Sequence, residues 1–328
     1  MAAAEPVSRH VSLIRGSIGE GFVAIYVIVG HRVALVDTGF ADHPRSAIQP
    51  ALSALGLSLQ DIDLVLTTHG HADHMGGHAA VVSASAARVR IHAGDSGRLH
   101  ARSVMSDDEF ARVFRRLGLD ERAAERERML VEVTGGTVAV GRPLRDGDRI
   151  DLGAGVALEV VETPGHTAGS VTFLVHPDGT ALAGDAIQGL GGGSGLPLYE
   201  DPDAYRASLV RLAGLDVAQV GMGHAFRSAH VDGSSIVAGA RLGPLLDESA
   251  RFVDIAAQTA AAVVAMRRPS MTDAVEQFLR RLPPPYATPG AGLETLGGAS
   301  LHAAWLHLER ALDDAGGAYR AEGAPVPR

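Results

Sequence analysis

Residues 67–74 read Thr-Thr-His-Gly-His-Ala-Asp-His, which places three histidines and one aspartate within six positions. Imidazole and carboxylate are ligands that suit zinc, iron, nickel or manganese. His71 follows His69 by two residues, so in extended chain both rings can face one ion; Asp73 and His74 lie just beyond, in reach of a second. A lone histidine is ordinarily a surface or core residue, and His78, His92 and His100 are read that way. An H-x-H-x-D-H run is harder to reach by chance, and it becomes specific when distant segments supply the remaining ligands.

Three segments do so. His166 stands in Thr163-Pro-Gly-His-Thr-Ala-Gly-Ser170, Asp185 in Ala183-Gly-Asp185, and His224 in Gly221-Met-Gly-His224. His69, His71, Asp73, His74, His166, Asp185 and His224 suffice for two ions that share a carboxylate. Asp37, in Val36-Asp-Thr-Gly39, is read either as a carboxylate orienting a metal-bound imidazole or as a turn-initiating Asp.

These residues need rigid elements to aim them, and the pattern around each is that of a strand end. Apolar runs predict strands at 11–15, 22–29, 32–36, 62–67, 88–92, 156–161, 170–175, 180–183 and 218–221. Asp146-Gly147-Asp148 and Asp151-Leu152-Gly153 read as turns, and 44–56 as a helix opened by Pro44 and stopped at Gly56. Between the ligand segments, Ser106-Asp107-Asp108-Glu109 reads as a capping box before Phe110, Val113, Phe114 and Leu117 at helical spacing, and Asp120 opens a charged helix to about Leu130. This helical insertion, about 100–131, is expected to roof the site. The glycine-rich stretch Leu190–Gly195 lacks the lysine and the strand–turn–helix setting of a phosphate loop and reads as a pocket edge. Gln188 and Tyr199, on either side of it, are candidate substrate contacts, with Tyr199 either an oxyanion donor or packed under the lid. A helix starts at Asp201-Pro202, and 235–328 reads as a small helical module after a catalytic domain of 1–234.

Composition bounds the rest. The 328 residues are 46% hydrophobic but only 4% aromatic, so aliphatic side chains must fill an α/β core. A net charge of −9 argues against a nucleic-acid footprint. There is no cysteine, hence no thiolate ligand, and all 29 basic residues are arginine, so Schiff-base and Walker-lysine chemistry is absent. The N-terminus carries no signal-peptide pattern, and no apolar run approaches the roughly 20 residues of a membrane span. A cytoplasmic protein with no membrane partner is expected, with a small molecule as substrate and a homodimer admitted.

The motifs H-x-H-x-D-H, P-G-H-T-x-G-S, G-D and G-H, in this order over about residues 10–230, resemble the metallo-β-lactamase superfamily. The resemblance implies an αββα sandwich with a dimetal site at one edge of its two sheets. It implies that His69, His71 and His166 hold metal 1, that Asp73, His74 and His224 hold metal 2, that Asp185 bridges them, and that Asp37 belongs to a supporting motif. The tail, with its His307–Leu312 helix, is similar to the module ending the lactamase-β-like-2 branch, which includes nucleases and polyketide-associated thioesterases. A cysteine-ligated β-lactamase is ruled out, and Asp185 matches the hydrolase branches. Glyoxalase II-like enzymes grip glutathione with basic residues that include lysine, which is missing here and would have to be replaced by arginine. Relatives that act as sulfur dioxygenases use one iron and fewer ligands.

The expectation is therefore a hydrolase of esters, thioesters or lactones with two divalent ions, zinc first and iron or manganese admitted. Asp73 would orient the water or take its proton. The competing readings are a phosphodiesterase or nuclease, whose Arg-lined groove could come from Arg112, Arg115, Arg116, Arg122, Arg126 and Arg128, and a catalytically silent ligand-binding member.

Overall fold

The computed structural model describes residues 4–99, 108–193, 195–266, 270–287 and 292–315. Two six-stranded sheets face each other. The first runs β1 (Glu5–Pro6), β2 (Val11–Ile18), β3 (Gly21–Val29), β4 (Val33–Val36), β5 (Ile62–Leu66), β6 (Arg88–Arg90) in sequential order. The second runs, from the far edge inward and on to the opposite edge, β12 (Ile236–Ala238), β11 (Gln219–Met222), β10 (Thr180–Gly184), β9 (Val171–His176), β8 (Val156–Glu162), β7 (Arg149–Gly153). Pairing is parallel at β4–β5, β5–β6 and β10–β11 and antiparallel elsewhere.

Period-two alternation makes three apolar layers out of these sheets. In β3, Ala24, Tyr26 and Ile28 face the second sheet and meet Leu158, Val160, Phe173 and Leu182, while Ile25 and Val27 face outward. That outer face is covered by α1 (Gln49–Ala54), the turn of helix running into it from Pro44, α2 (Ala72–Met75) and α3 (His78–Ala84). On the far side, Ala181, Ala183 and Val220 of the second sheet lie under α6 (Pro202–Ala213), α7 (Leu242–Val264), α8 (Met271–Arg281) and α9 (Gly298–Asp314). The insertion helices are α4 (Glu109–Arg116) and α5 (Asp120–Val133). The result is the expected αββα sandwich. Each fully buried aliphatic side chain in these layers contributes about 1.5–3 kcal/mol.

The structure departs from the sequence reading at several places. Ser106, and with it the expected capping box, lies outside the described residues, as does His100; the cap of α4 is Asp108, whose side chain accepts from the Ala111 amide at 2.8 Å. Helix α5 begins at Asp120 but the residue before it, Leu119, occupies the cap. Arg149–Gly153 is an edge strand and not a turn, because Ile150 and Leu152 are buried while Arg149 and Asp151 are exposed; the Asp and Gly disguised a two-residue period. Strand β12 pairs with β11 although it follows residue 234, and the C-terminal helices share one apolar cluster with the second sheet.

The two sheets are joined at one end. Val23 bridges His224, the Ala24 amide donates to the Gly223 carbonyl at 2.7 Å, and the Val171 amide donates to the Thr68 carbonyl at 2.9 Å. Deeper in, the buried Tyr26 hydroxyl of the first sheet donates to the Met222 carbonyl of the second at 2.7 Å. Tyr26→Phe leaves that carbonyl without its donor and is expected to lower stability by about 1–3 kcal/mol. Denaturant unfolding checks it, and a loss below about 0.5 kcal/mol would mean the tie between the sheets does not lie here.

Candidate metal centre

The joined end collects every loop that carried a candidate ligand. Strand β5 delivers Thr67–His74, the β8–β9 loop delivers His166, Asp185 follows the end of β10, and His224 lies two residues past the end of β11. His69 Nε2 lies 3.2 Å from His71 Nδ1 and 3.1 Å from His166 Nε2, which is 3.0 Å from His71 Nδ1. Beside this triangle, His74 Nε2 is 3.3 Å from His224 Nε2, and Asp73 Oδ2 is 3.2 Å from His224 Nε2. Asp185 stands between the two groups, with Oδ1 3.6 Å from His74 Nε2 and Oδ2 3.6 Å from His224 Nε2 and 3.7 Å from His166 Nε2. All seven sequence-selected residues thus converge, although His69 and His224 are 155 positions apart.

The rear of each ring explains why these nitrogens can face one another. His74 Nδ1 donates to Asp37 Oδ2 at 2.7 Å, His224 Nδ1 to the Phe22 carbonyl at 2.9 Å, and His166 Nδ1 to the Leu198 carbonyl at 2.7 Å. His69 Nδ1 meets Thr68 Oγ1 at 3.0 Å, and that hydroxyl is itself committed as a donor to Asp37 Oδ2 at 2.7 Å. A neutral imidazole that gives its one N–H to the rear presents a bare lone pair at the front. Lone pairs about 3 Å apart repel unless a cation lies between them, and tetrahedral ligands about 2.0–2.1 Å from a zinc ion stand roughly 3.3 Å from one another. Asp185 Oδ1 is buried without a hydrogen-bond partner, as a metal-directed oxygen would be. The donor set therefore fits two divalent cations.

The electrostatics divide the rings: His69 and His166 are kept neutral, while nearby carboxylates draw His71, His74 and His224 toward the protonated form against the effect of burial. Burial, followed by the neighbouring imidazoles, holds His69 well below the ordinary imidazole range, and burial with His71 takes His166 down to about 4, so both rings are neutral. Burial also opposes charge on His74, but Asp37, Asp185 and Asp73 outweigh it and push its pKa up to about 10. Burial would raise Asp73, yet His74 and His224 hold it well below the usual carboxylate range. The carboxylates make this a place where positive charge is stabilised.

Asp37 is the hub of the supporting shell. It is 1% exposed, sits at φ 62°, and accepts from the Thr68 amide as well as from Thr68 Oγ1 and His74. Close approach also needs glycine: a Cβ at Gly223 would lie 2.1 Å from Asp185 Oδ1, and one at Gly165 (φ 125°) 2.2 Å from the Tyr205 amide nitrogen. His78 takes the ordinary role expected of it, buried between Thr38 Oγ1 and Thr67 Oγ1 at 2.7 Å each, and His92 meets Glu162 at 3.1 Å.

Of the two candidate substrate contacts, Tyr199 needs correction. Tyr199 is 1% exposed, stacked on Tyr205, with its hydroxyl 2.7 Å from His307 Nε2; it is core and cannot reach a reacting oxygen. Gln188 borders the cleft, but its Nε2 donates to the Leu198 carbonyl at 2.7 Å and its Oε1 accepts from the Leu198 amide at 2.8 Å, so it holds the segment that orients His166. Sequence reasoning also missed two carboxylates. Asp95, 1% exposed, accepts from the Gly70 amide at 2.7 Å, Thr167 Oγ1 at 2.6 Å and the Gly169 amide at 2.9 Å, tying the His69 loop to the His166 loop. A Gly-Asp pair after a strand was its only signal, the same signal that marked Asp185. Glu109 reaches His71, as described below.

The sequence profile of the metallo-beta-lactamase superfamily matches residues 18–224. The chain is 28% identical over 220 residues to a "probable metallo-hydrolase" of Bacillus subtilis, covering 62% of this chain and 67% of that one. It is 29% identical over 209 residues to a hydroxyacylglutathione hydrolase of Cereibacter sphaeroides, covering 62% of this chain and 64% of that one. Among solved structures it is similar to a metallo-beta-lactamase family protein of Thermus thermophilus, with TM-score 0.70 and 25% identity over 95% of both chains. A subclass B3 metallo-beta-lactamase of Bradyrhizobium japonicum, at TM-score 0.57 and 22% identity over 80% of this chain and 97% of that one, shares the fold.

Asp95→Ala strips three buried donors of one acceptor and is expected to cost at least about 3 kcal/mol. Hydrogen exchange should show the Gly70 and Gly169 amides losing protection together. Unchanged exchange at both would remove Asp95 from the scaffold of the centre.

Proposed function

The chain belongs to the metallo-β-lactamase superfamily, and on that footing we propose that it is a dimetal hydrolase of carboxylic esters, thioesters or lactones with an apolar acyl part. His69, His71 and His166 would hold one ion, Asp73, His74 and His224 the other, with Asp185 between them; zinc suits this thiolate-free set best. Such a pair supplies an acidified water and polarises a carbonyl.

The observation that carries the substrate class is the cleft in front of the centre. It has a volume of about 760 Å³, and Phe22, Phe40, Phe110, Met129, Leu196 and Phe226 are among its walls. The insertion forms one side, through Glu109, Phe110, Arg126, Met129 and Leu130. Among the described residues, the one arginine lining the cleft is Arg126, and its charge is taken by Asp108 at 2.9 Å while its guanidinium lies over the Phe110 ring. A cleft with no unneutralised arginine among the described residues suits an apolar, uncharged group better than a phosphodiester. Three of the five other arginines considered for a groove are engaged elsewhere. Arg115 pairs with Glu127, Arg116 with Glu309, and Arg122 donates to the Leu293 and Leu296 carbonyls. The relatives named hydroxyacylglutathione hydrolases favour an acyl–thiol bond.

The chain's own residues divide the work. Apolar walls desolvate and hold the acyl part. Asp73, whose side chain is 28% exposed where Asp185 is 9%, is the carboxylate open to the cleft. With Oδ2 turned to His224, its other oxygen takes the proton of the attacking water and returns it to the leaving group. Leu198 and Gln188 keep His166 in place, and Asp37 does so for His74.

Two outcomes test this. Purified protein should hold close to two transition-metal ions and lose turnover on exhaustive chelation; activity that survives chelation would overturn the metal reading. Acyl p-nitrophenyl esters, acyl thioesters and lactones should be hydrolysed while bis-p-nitrophenyl phosphate is not, and Asp73→Asn, which removes a ligand of the second ion together with the base, should lower kcat about 10²–10⁴-fold and weaken one metal equivalent. Preferential cleavage of the phosphodiester would instead make the protein a phosphodiesterase.

A further inference from the structure

Four of the five clustered imidazoles rest their rear nitrogens on the two-sheet body and its loops: His69 on Thr68, His74 on Asp37, His166 on Leu198 and His224 on Phe22. His71 does not. Its Nδ1 faces the cluster, and its Nε2 lies 3.4 Å from Glu109 Oε2. Glu109 belongs to the insertion, in the first turn of α4, where a glutamate ordinarily faces water. Here it is 3% exposed. Its second oxygen accepts from Arg98 Nη1 at 2.9 Å, and Arg98 is paired in turn with Glu200. A buried carboxylate is costly to desolvate unless its partners hold it. An arginine and a second glutamate are thus committed to keeping one carboxylate behind one ring.

We infer that Glu109 is a positioning residue: its carboxylate, 3.4 Å from a His71 Nε2 that has no hydrogen-bond partner, favours the proton on that nitrogen, so selects the tautomer that leaves Nδ1 free for a metal, and sets the insertion against one half of the centre. This rests on the dimetal reading above. A carboxylate behind a metal-bound histidine raises the basicity of the ring and locks its orientation, and its loss typically weakens metal binding about 10–100-fold. The carboxylate comes from the same helix as the cleft-wall residue Phe110, so the wall and the ligand are set by one element.

The test is zinc titration of full-length parent, Glu109→Ala and Glu109→Gln against a chromophoric chelator, with cobalt(II) spectra of each. Val113→Ala is the control: Val113 is buried on the same helix, one turn on from Glu109, where α4 packs on α9. Expected is a weakening of one zinc equivalent by about 10–100-fold in Glu109→Ala, less in Glu109→Gln, which keeps an acceptor oxygen, with altered cobalt bands and the other equivalent within about threefold. Val113→Ala should leave both equivalents as in the parent. If both equivalents in Glu109→Ala and Glu109→Gln match the parent, or if Val113→Ala weakens zinc as much, Glu109 has no positioning role and only packs the helix. A parent that binds no zinc would sink the dimetal reading itself and this inference with it.

Discussion

Unshared electron pairs packed closely in a dry place impose the main constraint on this molecule. Five imidazole nitrogens and two carboxylates point at a common centre, several of them about 3 Å apart. Left to itself such a set flies apart or takes up protons. The protein prevents the first by giving four of the five rings a fixed oxygen at the back, with Glu109 3.4 Å behind the fifth. The carboxylates, which favour positive charge in their midst, mark what the centre is built to receive.

Everything that carries those oxygens is rigid for a stated reason. Asp37 sits in the left-handed region, uncommon for a non-glycine residue, because three donors from the His69 loop and His74 converge on its carboxylate. Asp95 does the same for the loops of His69 and His166. The sheets that bear these loops are fused by backbone hydrogen bonds at the site and by Tyr26 further in, so the ligand-bearing ends share one frame. Gly223 and Gly165 occur where a methyl group would collide with the centre or its support.

The helices outside the sheets decide what the centre can act on. The C-terminal helices are packed into one apolar cluster with the second sheet and with α4. The insertion is therefore held between the body and the tail, and it offers the cleft an apolar wall and a neutralised arginine. Tyr199 and His307 belong to this packing, which is why a tyrosine beside a glycine-rich loop became core and not a catalytic donor. The same packing buries Glu109 against His71.

The seven clustered side chains were legible in the residues alone, because metal-type ligands at strand ends follow from local pattern: an apolar run aims whatever comes after it; the family and its sandwich followed from the resemblance of the ordered motifs. Most strands and helices were readable for the same reason, and Arg149–Gly153 was missed only where Asp and Gly masked a two-residue alternation. What the chain order could not convey was pairing across distance. Asp95 and Glu109 are single acids with no repeating neighbours, and their importance lies in which donors face them once two loops or a helix arrive from elsewhere. The depth of Tyr199, the commitment of Gln188 to a backbone segment and the loss of Arg126's charge to Asp108 are equally matters of contact. Local periodicity determines which residues stand at the end of a strand; only the assembled layers decide which of them are dry, which are paired, and which are left to meet a substrate.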